Sequence, residues 1–148
     1  MAFRFSLEAV LRLRQGMEHQ QELRLRTAHQ HVARVRHGIE RIDHALGEAE
    51  QLSRRALASG TTSAELLFAL QSEAALRQYR EKLGAELTRL GKLRDQQAEI
   101  FRQARRERET IESLRDQQLR EYKREALRRE QRRVDDLYLL RRNYQQHG

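Results

Sequence analysis

Apolar residues recur along the first part of the chain at spacings of three and four. Leu25, Ala28, Val32, Val35, Ile39, Ile42, Leu46 and Ala49 form this seam. A 3,4 repeat puts its members on one stripe of an α-helix and winds paired helices into a left-handed coiled coil. Upstream, Leu7, Val10, Leu11 and Met17 continue the apolar character, but Arg14 and Gln21 interrupt it. Further along, Leu76, Leu83, Leu87 and Leu90 define one register. Leu93, Ile100, Ala104, Ile111 and Leu114 define a second, offset by three residues. Such an offset predicts a stammer that overwinds the supercoil locally. After Leu119 the pattern thins until Val134, Leu137, Tyr138 and Leu140.

One segment, Ser59-Gly60-Thr61-Thr62-Ser63, reads as a turn. Gly60 suits the left-handed position that follows a helix, and Thr62 with Glu65 has the spacing of a capping box. The expectation is an all-α fold: two long helices in an antiparallel coiled-coil hairpin within a single domain, 1–148. Helix one covers about 5–58, the turn 59–62 and helix two about 63–145. Facing residues should then sum to about 122, which sets Arg4 opposite Gln118 and Gly38 opposite Gly84. At 1.5 Å per residue the helices would span ~80 and ~120 Å. About 27 residues of helix two would run on unpaired, and so long a lone helix is marginal in water without a partner.

Composition narrows the function classes. The 148 residues contain no Pro, Cys or Trp, 35% are charged and only 5% aromatic. This is the profile of long helices, with too few large apolar residues for an ordinary enzyme core. Disulfides and cysteine-based zinc sites are excluded. No stretch approaches 18 apolar residues, and the N-terminus lacks the apolar run of a secretory signal, which together predict a cytosolic protein. Thirty Lys+Arg against 22 Asp+Glu give a net charge of +8, with the two signs interspersed as on solvated helical faces.

Candidate chemistry is sparse. There is no phosphate loop or nucleophile motif. Asp135 and Asp136 are adjacent, so on a helix they diverge by about 100°. His19, His29, His31, His37 and His44 lie on helix one without converging, which predicts no metal. No cofactor and no catalysis are expected. The run from Arg102 to Arg133 is basic, but Tyr122 is its one aromatic able to stack on a base, so nucleic acid is not the expected partner. The two termini are apolar and basic together: Phe3 to Arg14, and Val134 to Arg142. Apolar side chains on an otherwise solvated surface suggest docking.

The opening Phe3-Arg4-Phe5-Ser6-Leu7-Glu8-Ala9-Val10-Leu11-Arg12-Leu13-Arg14 resembles that of the FliJ family of flagellar export proteins. So does the downstream pattern Glu112-Ser113-Leu114, Tyr122, Glu125 and Glu130-Gln131-Arg132-Arg133-Val134-Asp135-Asp136-Leu137, with Asp135-Asp136 where the family often has Asp-Glu. The resemblance covers the whole chain and implies a non-enzymatic, stalk-like coiled coil of the bacterial flagellar type III export apparatus. It implies binding to the hexameric export ATPase FliI, promotion of ring assembly, contact with the export gate FlhA, and dealings with export chaperones. The expected location is cytoplasmic, at the inner face of the cell membrane without insertion. The residues expected to meet the ATPase ring are Phe3, Arg4, Leu7, Leu11, Arg12, Arg133, Asp135, Asp136, Leu137, Tyr138 and Arg141.

Three alternatives are the equivalent stalk protein of a virulence-type secretion system, a basic nucleic-acid binder, and a structural coiled coil that dimerises through the Leu25–Ala49 seam. The hairpin reading predicts a monomer.

Overall fold

The computed structural model describes residues 2–148. It contains two helices packed against each other, α1 (Glu8–Ser59) and α2 (Ser63–His147). The all-α hairpin expected from the heptads is the observed fold. The turn falls where the sequence places it. Gly60 has φ 89°, the left-handed value that a side chain would strain. Thr62 caps α2 by accepting a hydrogen bond from the Glu65 amide at 3.2 Å. Glu65 accepts from the Thr61 hydroxyl at 2.9 Å. The capping box is therefore formed on the Thr62 side, while the glutamate takes the neighbouring threonine.

The start of α1 differs from expectation. Residues 2–5 are non-helical and 6–7 form a turn, so the helix opens at Glu8 rather than Phe5. The Phe5 ring is buried, at 8% exposure, and the Phe5 carbonyl accepts the Glu8 amide at 3.2 Å. Folding the chain back to bury this aromatic outweighs one more helical turn in the open. At the other end, α2 continues to His147.

The chain divides into two compact units. The first comprises Gln20–Arg102, that is, the hairpin around the turn. Its core is Val32, Ile42 and Leu46, with the other seam residues half-buried between the helices. Val and Ile hold few rotamers in a helix, so the close-packed middle costs little side-chain entropy. Asp43 pairs with Arg80, and their numbers add to 123, close to the expected 122. Gly38 meets the Leu83 side chain, not Gly84, because Leu83 is the residue that points into the seam.

The second unit comprises residues up to His19 together with Gln103–Gly148. Its most buried side chain is Leu11, at 2% exposure. Glu8 and Arg115 approach to 3.7 Å, and the Phe3 and Tyr122 rings lie 5.5 Å apart, tilted by 51°.

The stammer predicted in α2 is absent. Burial follows one heptad, from Leu83, Leu87 and Leu90 through Arg94, Gln97, Phe101, Ala104 and Arg108 to Ile111. Leu93, Ile100 and Leu114 are off the seam and 39 to 49% exposed. The apolar residues shift register, but the helix does not. Arg94 and Phe101 take the stripe positions beside Leu93 and Ile100, and Gln97 and Arg108 complete the stripe. On α1, likewise, Arg14, Glu18 and Gln21 do not interrupt the seam but continue it with polar groups. Opposing polar groups satisfy each other: Gln97 donates to Gln21 Oε1 at 2.7 Å, and Arg14 reaches Glu107 at 2.5 Å. Arg108 donates to Glu18 at 2.6 and 3.2 Å and also to Glu112. No buried side-chain nitrogen or oxygen among the described residues lacks a partner.

Candidate docking surface on the terminal unit

The N-terminal segment is short of free apolar surface. Phe5 and Leu11 are buried, and Phe3 and Leu7 are half-buried against α2. The heptad puts Leu7 and Leu11 on the stripe that faces α2, so the structure assigns both to packing within the chain. Leu13 stays 61% exposed, and the exposed charged residues of the segment are cationic, Arg4 and Arg12. With Glu8 and Arg115 they line a 380 Å³ groove floored by Phe3 and Phe5. Three guanidinium groups around one carboxylate leave an excess of positive charge, suited to an acidic side chain of a partner.

The C-terminal stretch is the reverse. Every residue from Lys123 to Gly148 is exposed. Tyr122, held under Phe3, is the last half-buried residue. Beyond it α2 keeps large apolar side chains with nothing over them: Leu127, Val134, Leu137, Tyr138, Leu139, Leu140 and Tyr144, all 51 to 84% exposed. Leu137, Leu140 and Tyr144 follow a 3,4 rhythm that Arg133 extends and Arg141 flanks, so one face is both apolar and basic. Arg133 and Arg141 make no ion pair among the described residues. Asp135 accepts a hydrogen bond from Gln131 at 3.1 Å, and Asp136 lies beside it on the exposed surface.

The structure therefore leaves the apolar-basic segment of α2 uncovered and packs Phe5 and Leu11 of the N-terminal segment into the chain. The residues expected to meet the ring do not include Leu139, Leu140 or Tyr144, although Tyr144 lies one heptad beyond Leu137. Sequence reasoning also missed Glu18, Glu107 and Arg108, although steps of seven and four back from Leu25 land on Glu18 and Gln21.

The histidines of α1 remain dispersed. His37 and His44 each meet a glutamate on their own helix, Glu40 at 3.3 Å and Glu48 at 3.2 Å. Among the described residues no three potential ligands converge on a metal position, and no helix is long and apolar enough to cross a membrane.

No curated protein and no solved structure is significantly similar to the chain. Residues 3–147 match the family model described as flagellar FliJ protein. That match spans nearly the whole chain, so the protein belongs to the FliJ family, whose members serve flagellar protein export without catalysing a reaction themselves.

Proposed function

We propose that this chain is a non-enzymatic coiled-coil component of the flagellar type III export apparatus, and that its terminal unit is gripped by the hexameric export ATPase. The observation that carries the reading is the uncovered, apolar and basic face of α2 beyond Tyr122. Leu137, Tyr138, Leu140 and Tyr144 supply the area. At about 25 cal/mol per Å², a few such anchors contribute several kcal/mol before association costs. Arg4, Arg12, Arg133 and Arg141 steer an acidic rim toward this surface and act mainly on the association rate. Asp135 and Asp136 fix orientation against a basic group on the ring. Phe3, Phe5, Leu7 and Leu11 act from beneath, by holding the N-terminal segment on α2, where its arginines line the groove with Glu8 and Arg115.

In this reading the protein works in the cytoplasm, at the inner face of the membrane. It promotes assembly of the ATPase ring, contacts the export gate, handles export chaperones and exists as a monomer. It needs no cofactor.

The test uses two altered chains, assayed for binding and stimulation of the cognate export ATPase. Truncation after Arg132 is expected to abolish stimulation. Replacement of Ser59–Ser63 by another short turn is expected to preserve it. The opposite pattern would show that the ring takes the other unit.

A further inference from the structure

The unit formed by Gln20–Arg102 carries a groove that the export reading does not use. Ala28 is a small residue of the α1 seam, and it lines a notch with Leu90. On α2, Leu93 and Ile100 stand one heptad apart along the lip, 45 and 49% exposed. Together with Arg24 and His31 on the α1 lip, these residues line a 270 Å³ groove that contains no carboxylate. Arg34 and Arg41 extend the α1 lip at heptad spacing from Thr27. Arg24, Arg34 and Arg41 make no ion pair among the described residues. The groove thus has an apolar wall on one helix and the Arg24 guanidinium on the other, with Arg34 and Arg41 further along that helix.

We infer that this groove receives a partner's amphipathic helix, with an aliphatic side chain seated over Ala28 between Leu93 and Ile100 and an acidic flank against Arg24, Arg34 and Arg41. The spacing supports a helix as the occupant. Two anchors seven residues apart on one straight helix are about 10 Å apart, the distance over which a partner helix repeats its own apolar stripe. Charge selects the flank. A second copy of this chain, at net +8, would bring further cations to a cationic lip, whereas an acidic flank is attracted to it.

The test measures binding of fluorescently labelled synthetic helices of about three heptads to the full chain by anisotropy. Each has leucine at its core positions. One has glutamate on both flanks and the other has lysine. The glutamate-flanked helix is expected to bind, and the lysine-flanked helix to bind at least about tenfold more weakly. Leu93→Gln combined with Ile100→Gln, both off the seam, and separately Arg24→Glu, should each weaken the glutamate-flanked helix by about tenfold or more with circular dichroism unchanged. Arg54→Gln with Arg55→Gln, exposed on α1 near the turn, should leave it unchanged. Equal binding of the two helices would overturn the proposal, as would insensitivity to the groove variants. A loss in Arg54→Gln with Arg55→Gln as large as in Arg24→Glu would assign the affinity to general positive charge and overturn the proposal. Sedimentation showing a dimer that Leu93→Gln with Ile100→Gln dissolves would give the groove to a second copy instead.

Discussion

Removing the Arg108 guanidinium should destabilise the protein, and removing its partner carboxylate as well should restore stability. Arg108 and Glu18 lie on the packed side of their helices, with side chains only 20 and 19% exposed. Two hydrogen bonds join them. Hydrogen bonds donated to Glu18 first, and then to Glu112, hold the Arg108 pKa above its ordinary value, so its guanidinium stays charged. Breaking a fully buried ion pair costs about 3–5 kcal/mol, because the remaining charge has lost both water and partner. Here a fifth of each side chain still meets solvent. Arg108→Met keeps the aliphatic stem and should cost about 2 kcal/mol. Glu18→Leu leaves Arg108 with Glu112 and should cost less, about 1 kcal/mol. The double variant sets leucine beside methionine and should be at least as stable as the parent, since an apolar pair avoids the desolvation of two ions. Urea denaturation followed by circular dichroism reads all four corners of the cycle. Additive losses in the double variant would refute the reasoning, because they would mean that the pair is a surface contact whose members act independently. The complete cycle would also show what the pair contributes besides energy. If the double variant gains stability but populates more than one helix register, the polar seam acts as a register lock.

Three further outcomes follow from the packing. Leu11→Ala, at the most buried side chain of its unit, should cost about 3 kcal/mol, with amide exchange accelerating in residues 8–19 and 104–122. Faster exchange confined to Gln20–Arg102 would contradict it. Val32→Asp, at 3% exposure, should destabilise by about 3 kcal/mol or more, and Ile39→Asp, half-buried in the same seam, by less, as read from melting curves. Acidification should lower the melting temperature. Hydrogen bonds from Arg80 to Asp43 and from Arg89 to Glu86 depress the pKa of each carboxyl in the folded state, so their stabilisation is present above the unfolded values, near pH 4, and fades as the pH falls through the lower folded values. The Asp43→Asn variant should show a shallower decline.

Legibility tracked the physics that each residue obeys. Gly60 and Thr62 act within a few residues of themselves, so turn and cap could be read locally. The Leu25–Ala49 seam repeats one chemistry at one spacing and needs no tertiary knowledge. The register of α2 was misread because apolarity was taken as the marker of burial. In a helical hairpin, position on the stripe decides burial, and chemistry then adapts to it. Arg94 and Arg108 lie on the stripe because long aliphatic stems fill the space while their charged ends find Asp95, Glu18 and Glu112. Leu93 and Ile100, one position away, stay at the surface. Phe3, Phe5 and Leu11 were visible as apolar, but no local pattern distinguishes a side chain that binds a partner from one that binds its own chain.

The uncovered part of α2 raises a separate question of why it is helical at all. It has no proline and no glycine before Gly148, and Leu, Arg, Glu and Gln predominate, so intrinsic propensity favours the helix. Arg129 with Glu125 and Gln131 with Asp135 add i,i+4 support. Against this, Arg120, Arg124, Arg128 and Arg132 stand four residues apart, and like charges at that spacing repel by about 0.2–0.5 kcal/mol per pair. Leu137, Leu140 and Tyr144 gain nothing from water. The two unfavourable features have one remedy. An acidic, apolar-lined surface would neutralise the arginine row and cover the apolar face together, stabilising the helix further as it binds. The same residues that make the free helix marginal therefore specify the chemistry of the surface that would hold it.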